Sequence, residues 1–311
     1  MIGWYQSIQA SKAFLLQGKF LGYPELALQA FSLIELSIVI LIIGILIAGV
    51  SQSSVLISKM RLSSARTQAE SSPVPSISNL VTWLETTSEK SFIESETENL
   101  GLVSTWYDIN TNSSKKNNAT SSGVARPTYK TKCINDLPCL NFITNDAMDS
   151  TLNLGMADGV SIFIVITYNN AASITACCQS IISTNGAWAA NSMQYFASDR
   201  LIYATNGNAD VAGSASKLVA SRNLILAVVD NGATVTNYSN GAISGSATSI
   251  ATGKKSLNGL NIGYWNLGGS TSRYLANSYV GEIIVFDRGL KSEERQAVIS
   301  YLGKKWGIAT S

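Results

Sequence analysis

The pattern of hydrophobic and polar positions divides the chain into three unequal parts. No charged residue occurs from Leu36 to Ser58, and the first fifteen positions of that run read LSIVILIIGILIAGV. About 20 apolar residues suffice to cross a bilayer as a helix, so the run predicts one membrane-spanning segment. Lys59, Arg61 and Arg66 then restore charge. The helix is expected to continue to about Glu70 and to stop before Pro73, because the position preceding proline disfavours helical geometry. Measured from Phe31, such a helix would be a rod of roughly 60 Å. Residues 71–79, with Pro73 and Pro75, read as a short stiff linker.

Beyond the linker the periodicity changes. Short β-rich runs recur between Gly, Asn, Asp and Ser clusters: LVTWL at 80–84, VSIFIVITY at 160–168, QSIIS at 179–183, MQYFA at 193–197, LIYAT at 201–205, LILAVV at 224–229, LNIGYW at 260–265 and EIIVF at 282–286. Many short strands separated by turn residues predict a mainly β sandwich or jelly roll, and Asn231-Gly232 and Asn240-Gly241 are hairpin signals. The chain closes on a helix, with Ser292 placed as its N-cap, Glu293 and Glu294 over its positive end and Gly307 as its terminator. Val298, Ile299, Leu302 and Trp306 give that helix one apolar face for packing on the sandwich.

Composition narrows the chemistry. Charged residues are 14% of the 311 positions and the formal net charge is +2, which leaves no electrostatic case for nucleic-acid binding. Histidine is absent. That removes the commonest general base and metal ligand, and leaves carboxylates as the accessible catalytic groups. Four cysteines allow three pairings. Cys133 and Cys139 bracket a turn-rich Ile-Asn-Asp-Leu-Pro insert and are the favoured bridge, in keeping with an oxidising compartment; Cys177 and Cys178 form a vicinal pair or remain thiols.

One acidic residue stands at the mouth of the apolar run, in Phe31-Ser32-Leu33-Ile34-Glu35. A carboxylate there is costly unless compensated, and a new α-amino group created by cutting before Phe31 would supply the partner. This segment resembles the prepilin amino terminus of type IV pilins and type II secretion pseudopilins, over roughly residues 30–70. The resemblance implies cleavage between Ala30 and Phe31 by prepilin peptidase and methylation of the Phe31 amine. It also implies an assembly role for Glu35 toward other pilin or pseudopilin subunits. Ala30 departs from the glycine usual before the cut. Residues 1–30 would be the leader, which the resemblance places in the cytoplasm. The rest would sit as a single-pass inner-membrane protein with a periplasmic head, later carried to a pilus, the cell surface or a secretion pseudopilus.

From Leu80 to Ile308 the order of segments resembles laminin-G-like, concanavalin A-like jelly-roll domains of bacterial surface proteins. It includes Trp106-Tyr107-Asp108, Tyr238-Ser239-Asn240-Gly241 and the closing run GEIIVFDRGLKSEERQAVISYLGKKWGI. The resemblance implies a two-sheet head over 80–308 that binds carbohydrate or a surface protein, frequently with calcium. Asp108, Asn145, Asp146 and Asp149 are the candidate calcium ligands, although Asp and Asn are also ordinary turn residues. Trp188, Tyr195, Tyr203 and Trp265 are the candidate sugar-stacking rings, with core packing as the competing role. Glu94, Glu96 and Glu98 alternate as the acids of a retaining glycosidase would on one strand face, but their polar setting favours a solvated loop. The expectation is a filament subunit with a lectin-like head and no turnover. The alternatives are a permanently anchored lectin-like binder and a carboxylate-dependent glycosidase.

Overall fold

The structure is a computed structural model that describes residues 32–143, 145–157, 159–168, 179–183, 192–196, 200–205, 209–212, 222–248, 255–265, 273–275 and 277–311. The chain divides into two compact units, Met1–Gln52 and Ser53–Ser311, and the division falls inside the first helix, α1 (Leu33–Glu70). In the first unit the described side chains of 32–47 are all exposed. Among the described residues no helix is long and apolar enough to cross a membrane; the part of the apolar run with continuously described side chains is 33–47.

The second unit holds the strands. In chain order they are β1 (Leu80–Glu85), β2 (Thr105–Trp106), β3 (Ala119–Thr120), β4 (Thr128–Ile134), β5 (Leu137–Phe142), β6 (Met148–Ala157), β7 (Val160–Tyr168), β8 (Gln179–Ser183) and β9 (Ser192–Phe196). They continue as β10 (Arg200–Thr205), β11 (Ala209–Ala212), β12 (Arg222–Asp230), β13 (Thr234–Ser239), β14 (Ala242–Thr248), β15 (Lys255–Ile262), β16 (Tyr264–Trp265), β17 (Arg273–Tyr274) and β18 (Ser278–Phe286). The closing helix is α2 (Ser292–Trp306). One sheet runs β14-β13-β12-β7-β18-β5-β4, with β1 also paired to β18; the other runs β11-β10-β9-β8-β15-β6-β3-β2.

Two cores result, and they explain why the central strands show no alternation. In β7, Ile162, Ile164 and Ile166 join the core between the sheets, with Met148, Ile182, Leu260 and Ile262 from the opposite sheet. Phe163 and Val165 point the other way. They join a second core with Ala65 and Ala69 of α1 and Val298, Leu302 and Trp306 of α2. A strand covered on both faces reads as one continuous apolar run, as VSIFIVITY does.

Three local details differ from the sequence reading. The closing helix is capped by Lys291, not Ser292: the Lys291 N–H donates to the Glu294 carboxylate at 2.9 Å, which also receives Arg288, while the Ser292 hydroxyl accepts from Arg295 at 2.9 Å. The 71–79 segment is packed into the second core, where Val74 and Ile77 are buried beside a short 3-10 turn, because two prolines still leave apolar side chains with sheet to cover. LNIGYW is split at Gly263, whose φ of 82° lies in the left-handed region and whose Cβ, if present, would meet the Phe142 ring at 2.5 Å. The Asn240-Gly241 turn forms as expected, with φ of 50° and 91°.

Candidate functional site

Among the described residues the densest chemistry lies in the second core, where β1 and β18 pair antiparallel with Glu85 opposite Glu282. Lys305 of α2 inserts its ammonium between them, with Nζ 2.8 Å from Glu85 Oε2 and 2.8 Å from Glu282 Oε2, and all three side chains fully buried. Glu282 is surrounded by donors: Oε1 accepts Trp83 Nε1 and the Tyr301 hydroxyl, each at 2.8 Å, and Oε2 accepts Trp306 Nε1 at 2.7 Å besides Lys305. Glu85 Oε2 accepts the Thr87 N–H at 2.7 Å and the Thr87 hydroxyl at 2.5 Å. Glu85 Oε1 has no hydrogen-bond partner.

The local sequence explains the assembly. Tyr301, Lys305 and Trp306 share a face of α2 at helical spacing, and Gly281 leaves room for the indole of Trp306, since a Cβ there would lie 2.5 Å from a ring carbon. Taking charge out of water costs several kcal/mol per ion, so the centre persists only because the charges are paired and hydrogen-bonded. Burial works against the Lys305 ammonium, but Glu282 and Glu85 outweigh it and hold its pKa above the ordinary value. Burial, reinforced by the same two carboxylates, pushes the Tyr301 hydroxyl well above its usual range and keeps it a donor.

Two clefts border this centre. One, of about 610 Å³, is lined by Arg66, Ala69, Trp83, Glu85, Glu89 and Ile109 among others; Arg66 Nε donates to the Thr87 carbonyl at 2.8 Å and its Nη1 lies 2.5 Å from Glu89. The other, of about 400 Å³, is lined by Arg61, Gln68, Asn135, Lys304 and Trp306. Its rim is the β4–β5 hairpin, closed by a Cys133–Cys139 disulfide with Cα atoms 6.2 Å apart. The hairpin turn holds three elements together: Arg61 Nη1 donates to the Asn135 carbonyl at 3.2 Å, Asn135 Nδ2 donates to the Trp306 carbonyl at 2.7 Å, and Asn223 Nδ2 donates to Asn135 Oδ1 at 2.8 Å.

The residues singled out from sequence are dispersed. Asp108 is buried with both oxygens occupied, Oδ1 by the Trp83 and Asn110 N–H groups and Oδ2 by that of Asn117, so it pins a loop. Asp146 accepts the Ile143 N–H at 2.7 Å, and burial raises its pKa. Asn145, beside it, takes a left-handed φ of 65°. Asp149 accepts the Tyr264 hydroxyl at 2.5 Å. Among the described residues no group of three or more His, Cys, Asp or Glu side chains is arranged to hold a metal ion. Glu94–Glu96 forms a 3-10 turn instead of a strand, and Glu96 accepts the Ser104 hydroxyl at 2.6 Å. Tyr195, Tyr203 and Trp265 lie in β9, β10 and β16, in register with Leu201, Met193 and Arg273, and their side chains are not described. Trp188, Cys177, Cys178, Ala30 and Phe31 lie outside the described residues.

Glu35 has a local partner that the sequence reading missed. Its carboxylate accepts the Ser32 N–H at 2.9 Å, while the Ser32 hydroxyl accepts the Ile34 N–H at 3.3 Å. This is a variant of the S-x-x-E capping box, legible in Ser32-Leu33-Ile34-Glu35. The Glu85–Glu282–Lys305 centre was also missed. Its signal was a single charge in each otherwise apolar segment, LVTWLE, YVGEIIVF and the face bearing Trp306.

No protein-family model matches the chain, and no curated protein matches it by sequence. Solved structures do match by fold. The binding domain of Paraclostridial Mosquitocidal Protein 1 is 14% identical with a TM-score of 0.53, covering 72% of this chain and 52% of that one. The botulinum neurotoxin serotype D binding domain is 12% identical with a TM-score of 0.53, covering 74% and 52%. The botulinum neurotoxin DC binding domain in complex with rat synaptotagmin II is 13% identical with a TM-score of 0.52, covering 74% and 52%. The shared feature is a jelly-roll-type β-sandwich. This chain spans about half the length of those domains, and at such identities the likeness carries the fold and no site residue.

Proposed function

We propose that this chain is a pilin-like or pseudopilin-like filament subunit. In this reading residues 1–30 are a leader cut between Ala30 and Phe31, the uncharged run from Leu36 crosses the inner membrane, and the sandwich is a periplasmic head that binds a carbohydrate or a surface protein. The observation that carries it is the conjunction of the Phe31–Glu35 motif with a helix whose aliphatic side chains, Leu33 at 87% exposure and Ile40 at 61% among them, are exposed among the described residues. An apolar surface of that extent calls for lipid or neighbouring helices. The Cys133–Cys139 bridge supports an oxidising compartment.

For the head, the support is the fold shared with binding domains. One botulinum neurotoxin serotype D ligand-binding domain of that fold is in complex with N-acetylneuraminic acid, and the DC domain is in complex with synaptotagmin II. Binding without turnover is the reading adopted, because Glu96 sits in a turn and accepts hydrogen bonds from Ser104. Ala30 in place of the usual glycine favours the second reading, an uncut and permanently anchored binder.

Mass spectrometry of the amino terminus from native membranes separates the two. A chain beginning at methylated Phe31 is expected, and recovery of uncut chain alone would leave only the anchored binder. Incorporation of Glu35→Ala beside wild type should fall sharply while the head stays folded; equal incorporation would remove the assembly role of Glu35. Retention of the detergent-solubilised chain on sialylated glycans, neutral glycans and outer-surface protein extracts tests the head, and retention on none of them would sink the binding part.

A further inference from the structure

We propose that Lys305 and Glu85 condense into an intramolecular amide, a covalent bond between the first strand of the sandwich and its closing helix. The two carboxylates that share one amine are held unequally. Glu282 receives four donors, from Trp83, Tyr301, Trp306 and Lys305, so its charge is thoroughly stabilised. Glu85 receives the Thr87 N–H, the Thr87 hydroxyl and Lys305 on Oε2 alone, and leaves Oε1 buried without a partner. An orphaned oxygen on a buried carboxylate is costly, because its desolvation goes uncompensated. Forming the amide expels that oxygen.

This asymmetry assigns the roles. Glu85 is the electrophile, Lys305 the nucleophile, and Glu282 the base that touches the reacting nitrogen. One proton passes from the Lys305 ammonium to the Glu85 carboxylate, giving a neutral amine and a carboxylic acid as the minor, reactive form of the pair. The amine lone pair attacks Glu85 Cδ, and negative charge collects on Oε2, where the Thr87 N–H and hydroxyl already stand as an oxyanion hole. Glu282, 2.8 Å from the nitrogen, takes its second proton, and with that proton added to it the departing Oε1 hydroxyl leaves as water. The C–N bond forms, a C–O bond breaks, and nothing is oxidised or reduced.

The network carries one net negative charge before and after, on Glu282. In the product the former Oε2 keeps its Thr87 donors and the new amide N–H faces Glu282. Reacting groups fixed in contact and shielded from water have effective concentrations far above any bimolecular encounter. The ammonium pair is the resting form, so condensation is a slow maturation of the folded unit. The bond would link positions 220 residues apart and prevent the sandwich from being unravelled by tension on its two ends.

The test uses the full-length chain purified in detergent, reduced and alkylated, with its termini located by peptide mapping. The intact mass should be lower than that of its termini by one water, and fragmentation should find a branched peptide joining Lys305 to Glu85. Glu85→Gln should give the same branched product by losing ammonia, and Lys305→Arg should give none. Glu282→Gln should slow formation about 100-fold, the usual scale of a lost general base. Should these variants fail to fold, the wild-type mass decides alone. An undiminished mass with Lys305 and Glu85 in linear peptides overturns the proposal; a branch at Glu282 overturns the assignment of roles.

Discussion

Between Leu33 and Ile47, α1 exposes every side chain although most are aliphatic, whereas between Ser53 and Glu70 the same helix is largely polar and buries Ala65 and Ala69. The richer apolar sequence has the poorer cover. Burial of a helix face depends on having a complementary surface in reach, and Ala65 and Ala69, one turn apart, are small enough for the backbone to approach the second core closely. The first half has hydrophobicity that is exposed among the described residues. The second half has a partner and needs little hydrophobicity.

The comparison predicts that the head depends on what lies beneath the second half and is indifferent to the first. Lys305→Ala would strand Glu85 and Glu282 as buried unpaired charges and should cost about 3–5 kcal/mol, read as a fall in the denaturant midpoint of the head. An unchanged midpoint would mean that the charged centre does not support the docked half. Replacing Cys133 and Cys139 together by Ser should cost about 2 kcal/mol on the loop-closure model and loosen the turn that holds Arg61. Protease sensitivity near Arg61, measured with the midpoint, reads both effects. Ala69→Leu should overpack the second core at a cost of at least about 1 kcal/mol, while Ile42→Ala should move the head midpoint by less than about 0.5 kcal/mol. Equal effects of these two variants would erase the distinction between the halves.

The smallest expected effect is a pH dependence away from α1. Hydrogen bonding from Arg288 lowers the Glu294 pKa from 4.5 to about 2. A carboxyl group whose folded pKa is depressed adds stability that is fully present above 4.5 and is lost as pH falls toward about 2. Glu294→Gln should therefore flatten the stability curve in that window and leave its slope above 4.5 unchanged. A slope in that window identical to that of wild type would show that the pair contributes nothing.

Local chemistry made much of the architecture legible. VSIFIVITY and QSIIS are strands over the positions read from their composition, α1 ends at Glu70 ahead of Pro73, and Gly307 ends α2 with a φ of 62°. Each rests on neighbours a few residues away. The alternating acids of 94–98 mislead because alternation describes a strand only where a sheet is there to pair with it; here Glu94–Glu96 folds on itself as a turn. Asp108 was legible as a polar residue in a loop, but its three backbone donors come from Trp83, Asn110 and Asn117.

What the sequence determined by itself is therefore the apolar run and its acidic mouth, the many-stranded β unit, its hairpins and its closing helix, since periodicity, turn residues and caps act over short spans. The charged centre was decided by tertiary structure alone. Glu85 and Glu282 meet because β1 pairs with β18 in one register, and Lys305 reaches them because Gly281 lets Trp306 seat α2 on that sheet. A register between strands nearly 200 residues apart is chosen by how whole faces pack, so no local pattern announces which three charges will share one buried site.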